Sequence, residues 1–250
     1  MAHPEDIVYY DIASRAPVTC FAPNPWKARY ALNFKNVDYR THWVEHPDVT
    51  STRKSLGVAP SRYWPDGTPF YTMPVLQIKS TGELVGDTFE IALWLDKTYP
   101  NSVRRLIPEG TVGLHRTFNK YADTMLSRFY KLFSHGLPFN PDTAEESKRI
   151  FVQRAQVQDW EELTVRGEER EAVLKEFQKA LGELSECYVK GECSGPFLEG
   201  GDQPTYADII VGGWLQFISR TVPEWEVIAK WHGGRWGDIL RALEEYAVVH

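Results

Sequence analysis

A mixed α/β half followed by an all-α half is the fold class this sequence predicts. The first hundred residues alternate short strand-like runs with helical stretches in the order β-α-β-α-β-β-α. The remainder holds long helical patterns and no convincing strand. Halves of such different composition imply two packed subdomains. The proline-bearing segment 97–109, KTYPNSVRRLIPE, falls between them. The expected division is 1–99, a linker at 100–109, and 110–250.

Residues 7–12, IVYYDI, are rich in β-branched and aromatic side chains and predict the first strand. APNPWKARYALNFKN follows, and its helix is expected to take Asn24 as N-cap and Pro25 as its first residue. DYRTHWV, 38–44, alternates and predicts a second strand, with a short helix or loop at roughly 48–57. PVLQI, 74–78, and ELVGD, 83–87, bracket Ser80-Thr81-Gly82 and predict a hairpin. TFEIALWLDKT then predicts a helix stopped by Pro100. In the second half the helical patterns fall near 110–135, 143–165, 168–190, 205–221 and 235–247.

Composition narrows the function classes. The formal net charge is −6 and no Lys/Arg run exceeds two, which argues against a nucleic-acid partner. No stretch nears the roughly 18 apolar residues of a membrane span, so no membrane partner is expected. The opening MAHPEDIVYY has neither a positive n-region nor a long apolar h-region. Cys20, Cys187 and Cys193 form no CxxC pair, so a reducing, cytoplasmic location is the expectation. Nine Trp within 13% aromatics is high; some of those rings belong to the core, and a surplus suits an apolar ligand pocket.

Four local features bear on chemistry. Asn24-Pro25 opens a helix directly after a strand and loop, where free N–H groups and the helix dipole favour a thiolate or carboxylate. Met73-Pro74-Val75 begins a strand, the place a sheet tolerates proline. A cis bond there would leave the Met73 N–H and C=O open to an added extended peptide, and the residues alone leave cis and trans open. Gly86-Asp87-Thr88 sits at a strand-to-helix turn, fit either to cap the helix or to hold an amino-acid head group. Thr205-Tyr206-Ala207-Asp208 is a capping-box arrangement with Asp in place of Glu, and is structural. His42-Trp43-Val44-Glu45-His46 spells an inverted zinc-protease motif, but on a strand ending at Pro47 it cannot bring both histidines to one helical face, so no metal is expected.

In this order the features resemble the glutathione transferase superfamily over nearly the whole chain. APNPWKARYALNFKNV resembles the helix-one motif of the fungal-specific Fu class related to bacterial β-aryl etherases, which usually reads SPNPWxxRYALNxKG. The resemblance implies a thioredoxin-like first domain, an all-α second domain and glutathione as co-substrate. It places Asn24, Trp26, Met73, cis-Pro74, Asp87 and Thr88 around glutathione. Tyr121, Met125, Phe129 and Phe133 recur every four residues on one helical face, a stripe that by itself suits core more than pocket, and the resemblance implies Phe21, Tyr121, Met125 and Phe129 around a hydrophobic aromatic ligand. A homodimer is implied as well. One departure matters: Ala22 stands where relatives carry the catalytic Ser or Cys, so the catalytic residue is open and Asn24 is the candidate thiol activator. Seven residues before Arg29 lies Ala22, not Cys20, so Cys20 is expected to be a buried structural thiol. The activity implied is glutathione transfer to hydrophobic aromatic electrophiles, or peroxide reduction. The alternative is a non-catalytic ligandin for plant-derived polyphenols and glutathione.

Overall fold

The computed structural model describes residues 6–18, 20–100, 105–189 and 195–250. Part of the expected linker, 101–104, and Cys193 lie outside them. The first half contains β1 (Ile7–Ile12), α1 (Pro23–Phe34), β2 (Arg40–Val44), α2 (Val49–Ser55), β3 (Arg62–Tyr63), β4 (Pro69–Phe70), β5 (Val75–Ile78), β6 (Glu83–Gly86) and α3 (Thr88–Thr98). Among the described residues only helices follow: α4 (Val112–Ser127), α5 (Tyr130–Ser134), α6 (Ala144–Ala155), α7 (Gly167–Ser185), α8 (Tyr206–Thr221), α9 (Trp225–Ile228) and α10 (Trp231–Ala242). The added pair β3–β4 is absent from the sequence reading.

The sheet runs β2-β1-β5-β6, parallel between β1 and β2 and antiparallel elsewhere. Alternation sorts its faces. Tyr9, Leu76 and Ile78 join the core shared with α1 and α3, while Val75 packs with Val44, Val49 and Met73 on the α2 side. This is the thioredoxin-like arrangement the sequence implied, with the helical half packed against it.

The halves meet along α1 and α8. Two adjacent glycines in α8 let the backbones approach: a Cβ on Gly213 would lie 2.7 Å from Lys27 Cγ and 2.8 Å from the Pro23 carbonyl oxygen. Gln216 Nε2 donates to the Tyr30 hydroxyl at 2.5 Å, and Arg220 lies over the Trp26 ring at 4.7 Å. The capping box forms as expected: the Thr205 N–H donates to Asp208 at 2.8 Å, and the same carboxylate also takes the Leu198 N–H. Asp96 of α3 accepts the Leu106 and Ile107 N–H groups at 2.8 and 2.9 Å and pairs with Lys35 at 2.9 Å, docking the stretch before α4.

The expected helix at 110–135 breaks into α4 and α5, and that at 235–247 is preceded by His232, Gly233 and Gly234, all at positive φ. No helix is long and apolar enough to cross a membrane among the described residues.

Candidate functional site

The end of α1 is built by its prolines. The helix begins at Pro23, with Ala22 as an N-cap that makes no side-chain bond, so the expected start at Pro25 with Asn24 as cap is corrected by two residues. Proline at the first helical position forfeits no hydrogen bond, because that N–H has no partner in any helix, and this lets the helix reach back to Pro23. The Trp26 N–H closes the first turn on the Ala22 carbonyl at 3.1 Å. Pro23 and Pro25 carry no N–H. Asn24 therefore offers the one amide of these first three helical residues, and it donates to no described residue. The Tyr9 hydroxyl fixes the turn through the Pro25 carbonyl at 2.7 Å.

A buried cation lies one turn further on. Lys27, with no exposed side chain, donates through Nζ to Asp123 of α4 at 2.5 Å and to Asn24 Oδ1 at 3.1 Å. Asp123 also accepts the Trp214 indole N–H of α8 at 2.7 Å and the Asn119 amide at 3.1 Å. An ammonium held against Asn24 Oδ1 orients that side chain, and its Nδ2 donates to no described residue. The sequence reading missed Lys27, because its partner lies 96 residues away.

Cys20 takes no part in this arrangement. Its thiol donates to Asp11 Oδ2 at 3.1 Å, and Arg29 binds the same oxygen at 2.7 Å. Burial, reinforced by the Asp11 charge, pushes the thiol well above its ordinary range and keeps it protonated. Such a thiol is a packing group, as expected from the seven-residue count.

Met73-Pro74 is cis and leads into β5. The Met73 N–H donates to no described residue. Asp87, between β6 and α3, is exposed and holds φ 83° and ψ 141°, with its carboxylate accepting the Phe89 N–H at 3.2 Å. Thr88 is buried beside it and donates to the Asp87 carboxylate at 3.3 Å. Arg53, a second residue the sequence did not single out, ties these segments together. Its guanidinium donates to the Ala59 carbonyl at 2.9 Å and the Thr72 carbonyl at 2.6 Å, and packs so closely beneath Gly86 that a Cβ there would lie 2.6 Å from Nη2. A cleft of about 600 Å³ opens beside Asp87, bounded by Arg53 and by Arg116, Asn119 and Lys120 of α4.

Residues 21–98 match the family of glutathione S-transferase N-terminal domains, and residues 114–246 that of the C-terminal domains. The chain belongs to the glutathione S-transferase family. A glutathione S-transferase of Ceriporiopsis subvermispora, solved in complex with glutathione, is 33% identical over 98% of this chain and 99% of its own, with a TM-score of 0.88. Two Phanerochaete chrysosporium glutathione transferases are similar as well. GSTFuA2 is 30% identical over 98% and 100% of the two chains with a TM-score of 0.84, and GSTFuA3 is 28% identical over 98% and 99% with 0.87. The protein thus stands with the fungal Fu class. No curated protein matches the chain.

Two groups of expected ligand residues in this glutathione transferase have largely buried side chains. Trp26 is 1% exposed and its indole N–H donates to the Cys20 carbonyl at 3.0 Å, so its ring is part of the core. Phe21, Met125 and Phe129 lie in the core, Phe129 against Phe177 at 5.0 Å, while Tyr121 is 42% exposed. The face of α4 turned to the first half is the polar one, Asn119 and Asp123, because buried Lys27 demands a counter-charge there.

Proposed function

We propose that this transferase binds glutathione along its first half and conjugates it to hydrophobic aromatic electrophiles, or uses it to reduce peroxides, with the sulfur activated at Asn24 rather than by residue 22. The carrying observation is the open Asn24 N–H at the end of α1, beside a side-chain amide steadied by Lys27. Met73 offers backbone pairing to the cysteinyl unit. Asp87 and Thr88 take the γ-glutamyl head, whose ammonium suits the exposed Asp87 carboxylate.

A free thiol has a pKa of about 8.5, so only a few per cent is thiolate near neutral pH. A charge-assisted hydrogen bond contributes roughly 1.5–3 kcal/mol, which corresponds to about one to two pKa units. Asn24 and the helix dipole supply donors for that purpose; Ala22 supplies none. A weaker enzyme than its hydroxyl-bearing relatives is expected.

Ala22→Ser tests this reading through the pH–rate profile with an aromatic electrophile. If a hydroxyl adds to the existing donors, the profile moves to lower pH and the rate rises by at most about tenfold. Asn24→Ala moves it the other way. A wild-type profile that Asn24→Ala leaves unshifted removes Asn24 from the reaction.

The absence of any hydroxyl at Ala22 also favours a second reading, a ligandin that carries plant-derived polyphenols and binds glutathione without turnover. Neither wild type nor Ala22→Ser turning over any electrophile, with both still binding glutathione and aromatic ligands, would establish the carrier. A homodimer in the cytoplasm, the first half of one subunit facing the helical half of the other, completes the proposal; sedimentation velocity checks the dimer.

A further inference from the structure

A cleft of about 810 Å³ opens between α2, the β3–β4 hairpin and α6. None of the residues assigned above to glutathione lines it. Trp64, Phe70 and Tyr71 face it from the hairpin side and Arg154 from α6. Trp64 and Phe70 meet edge to face at 5.0 Å. Arg154 Cζ lies 4.8 Å from the centre of the Phe70 ring, and Arg62 Cζ lies 4.5 Å from the same ring and 4.9 Å from Trp64.

Two guanidiniums on one aromatic ring call for a counter-ion, and neither forms an ion pair with a described carboxylate. Arg154 instead donates through Nη1 to His46 Nε2 at 3.4 Å. His46 is 8% exposed; burial, with the Arg154 charge adding to it, lowers its pKa to about 4. The ring is therefore neutral and contributes no charge. With Nε2 accepting, the proton sits on Nδ1, which is buried and unpartnered. Arg154 itself is disfavoured as a cation by burial first and by Arg62 second. Asp66 in the hairpin turn also lines the cleft, but its carboxylate accepts the Thr68 N–H at 2.8 Å and stays outside ion-pair distance of both arginines.

A cleft of this size accommodates a small organic molecule. Its rings offer stacking faces, and the guanidinium of Arg154 on its wall, with that of Arg62 on the same Phe70 ring, offers forked donors that match a carboxylate. We propose that this cleft is a second ligand site, for a planar aromatic carboxylate whose ring lies among Trp64, Phe70 and Tyr71 and whose anionic group is held by Arg154 with Arg62 beside it. The site does not depend on the glutathione reading.

The test is titration calorimetry of the full chain with naphthalene-2-carboxylate and with naphthalene-2-carboxamide, which share a ring system and differ in charge. The carboxylate is expected to bind at least tenfold more tightly than the amide. Arg154→Gln and Arg62→Gln should each reduce that preference, and the double variant should abolish it, with glutathione affinity held within twofold. Circular dichroism checks each fold; should Arg154→Gln lose its structure, the exposed Arg62→Gln carries the test alone. Equal binding of acid and amide to the wild type overturns the proposal. So does a preference that survives the substitutions, or a glutathione affinity that falls in step with them, which would make the cleft an arm of the glutathione site.

Discussion

Asp87 holds φ at 83° and ψ at 141°, backbone space that residues with a Cβ seldom enter. Such a conformation costs of order 1–3 kcal/mol, and it persists where the surroundings demand it. Asp87 also caps α3 through the Phe89 N–H, a bond contributing about 0.5–2 kcal/mol. Asp87→Ala loses the cap and keeps the strain, whereas Asp87→Gly loses the cap and relieves the strain. The glycine variant is therefore expected to be the more stable of the two by about 1 kcal/mol in urea unfolding. Both should bind glutathione more weakly by roughly 1.5–3 kcal/mol, since the ammonium of the γ-glutamyl head loses its partner. Unchanged affinity by calorimetry removes Asp87 from the site. The same unfolding curves settle the backbone argument: alanine as stable as glycine would show that no strain resides there.

At the scale of elements, α1 against α8 is the contact on which the proposed site rests. Alanine exceeds glycine in helix propensity by about 1 kcal/mol, so Gly213→Ala improves α8 taken alone. Its Cβ, however, would come within 3.1 Å of the Lys27 backbone nitrogen and closer still to the Pro23 carbonyl. Overpacking of this kind costs typically 1–3 kcal/mol and displaces the smaller element. Gly213→Ala is expected to lower the midpoint of thermal unfolding and to weaken glutathione binding, because the end of α1 moves. A variant of raised stability and unchanged affinity would contradict the close approach. In the sequence Gly212-Gly213 reads only as an interruption of a helical pattern; the reason for it appears when Pro23 and Lys27 are seen beneath it. Legibility followed locality throughout. β1, the β5–β6 hairpin and α3 follow from alternation and punctuation, and Asp87-Thr88 from its place at a turn. The β3–β4 pair was invisible, two residues a strand with Pro69 in one of them. The periodicity of Tyr121, Met125 and Phe129 marks a buried face without saying what covers it, and only the family resemblance points that face toward a ligand. Lys27 was unreadable without Asp123.

Over the whole molecule, a second seam joins the halves through His46, which stacks on Phe151 at 4.9 Å, while the neighbouring Glu45 accepts the Thr143 hydroxyl at 2.9 Å. The His46 pKa of about 4 lies below its ordinary value of 6.5, with burial the main cause. Between those values the unfolded chain binds a proton that the folded chain refuses. The stability this histidine contributes is full above about pH 6.5 and drains away as pH falls toward 4, by about 3 kcal/mol in all. His46→Phe keeps an aromatic ring in the stack and removes the titration. Urea unfolding at pH 7 and pH 4 should show the wild type losing about 3 kcal/mol more than the variant over that interval; equal losses would mean the seam does not sense protons. The other seam, Lys27 to Asp123, sets a limit on inheritance and engineering. An ammonium enclosed in one half is neutralised, among the described residues, by a carboxylate from the other, so the halves are not interchangeable modules. A chimera joining this first half to a foreign helical half that lacks an acid at the place of Asp123 would strand a bare charge beneath the first turn of α1. Recombination between relatives therefore has to carry these two positions together.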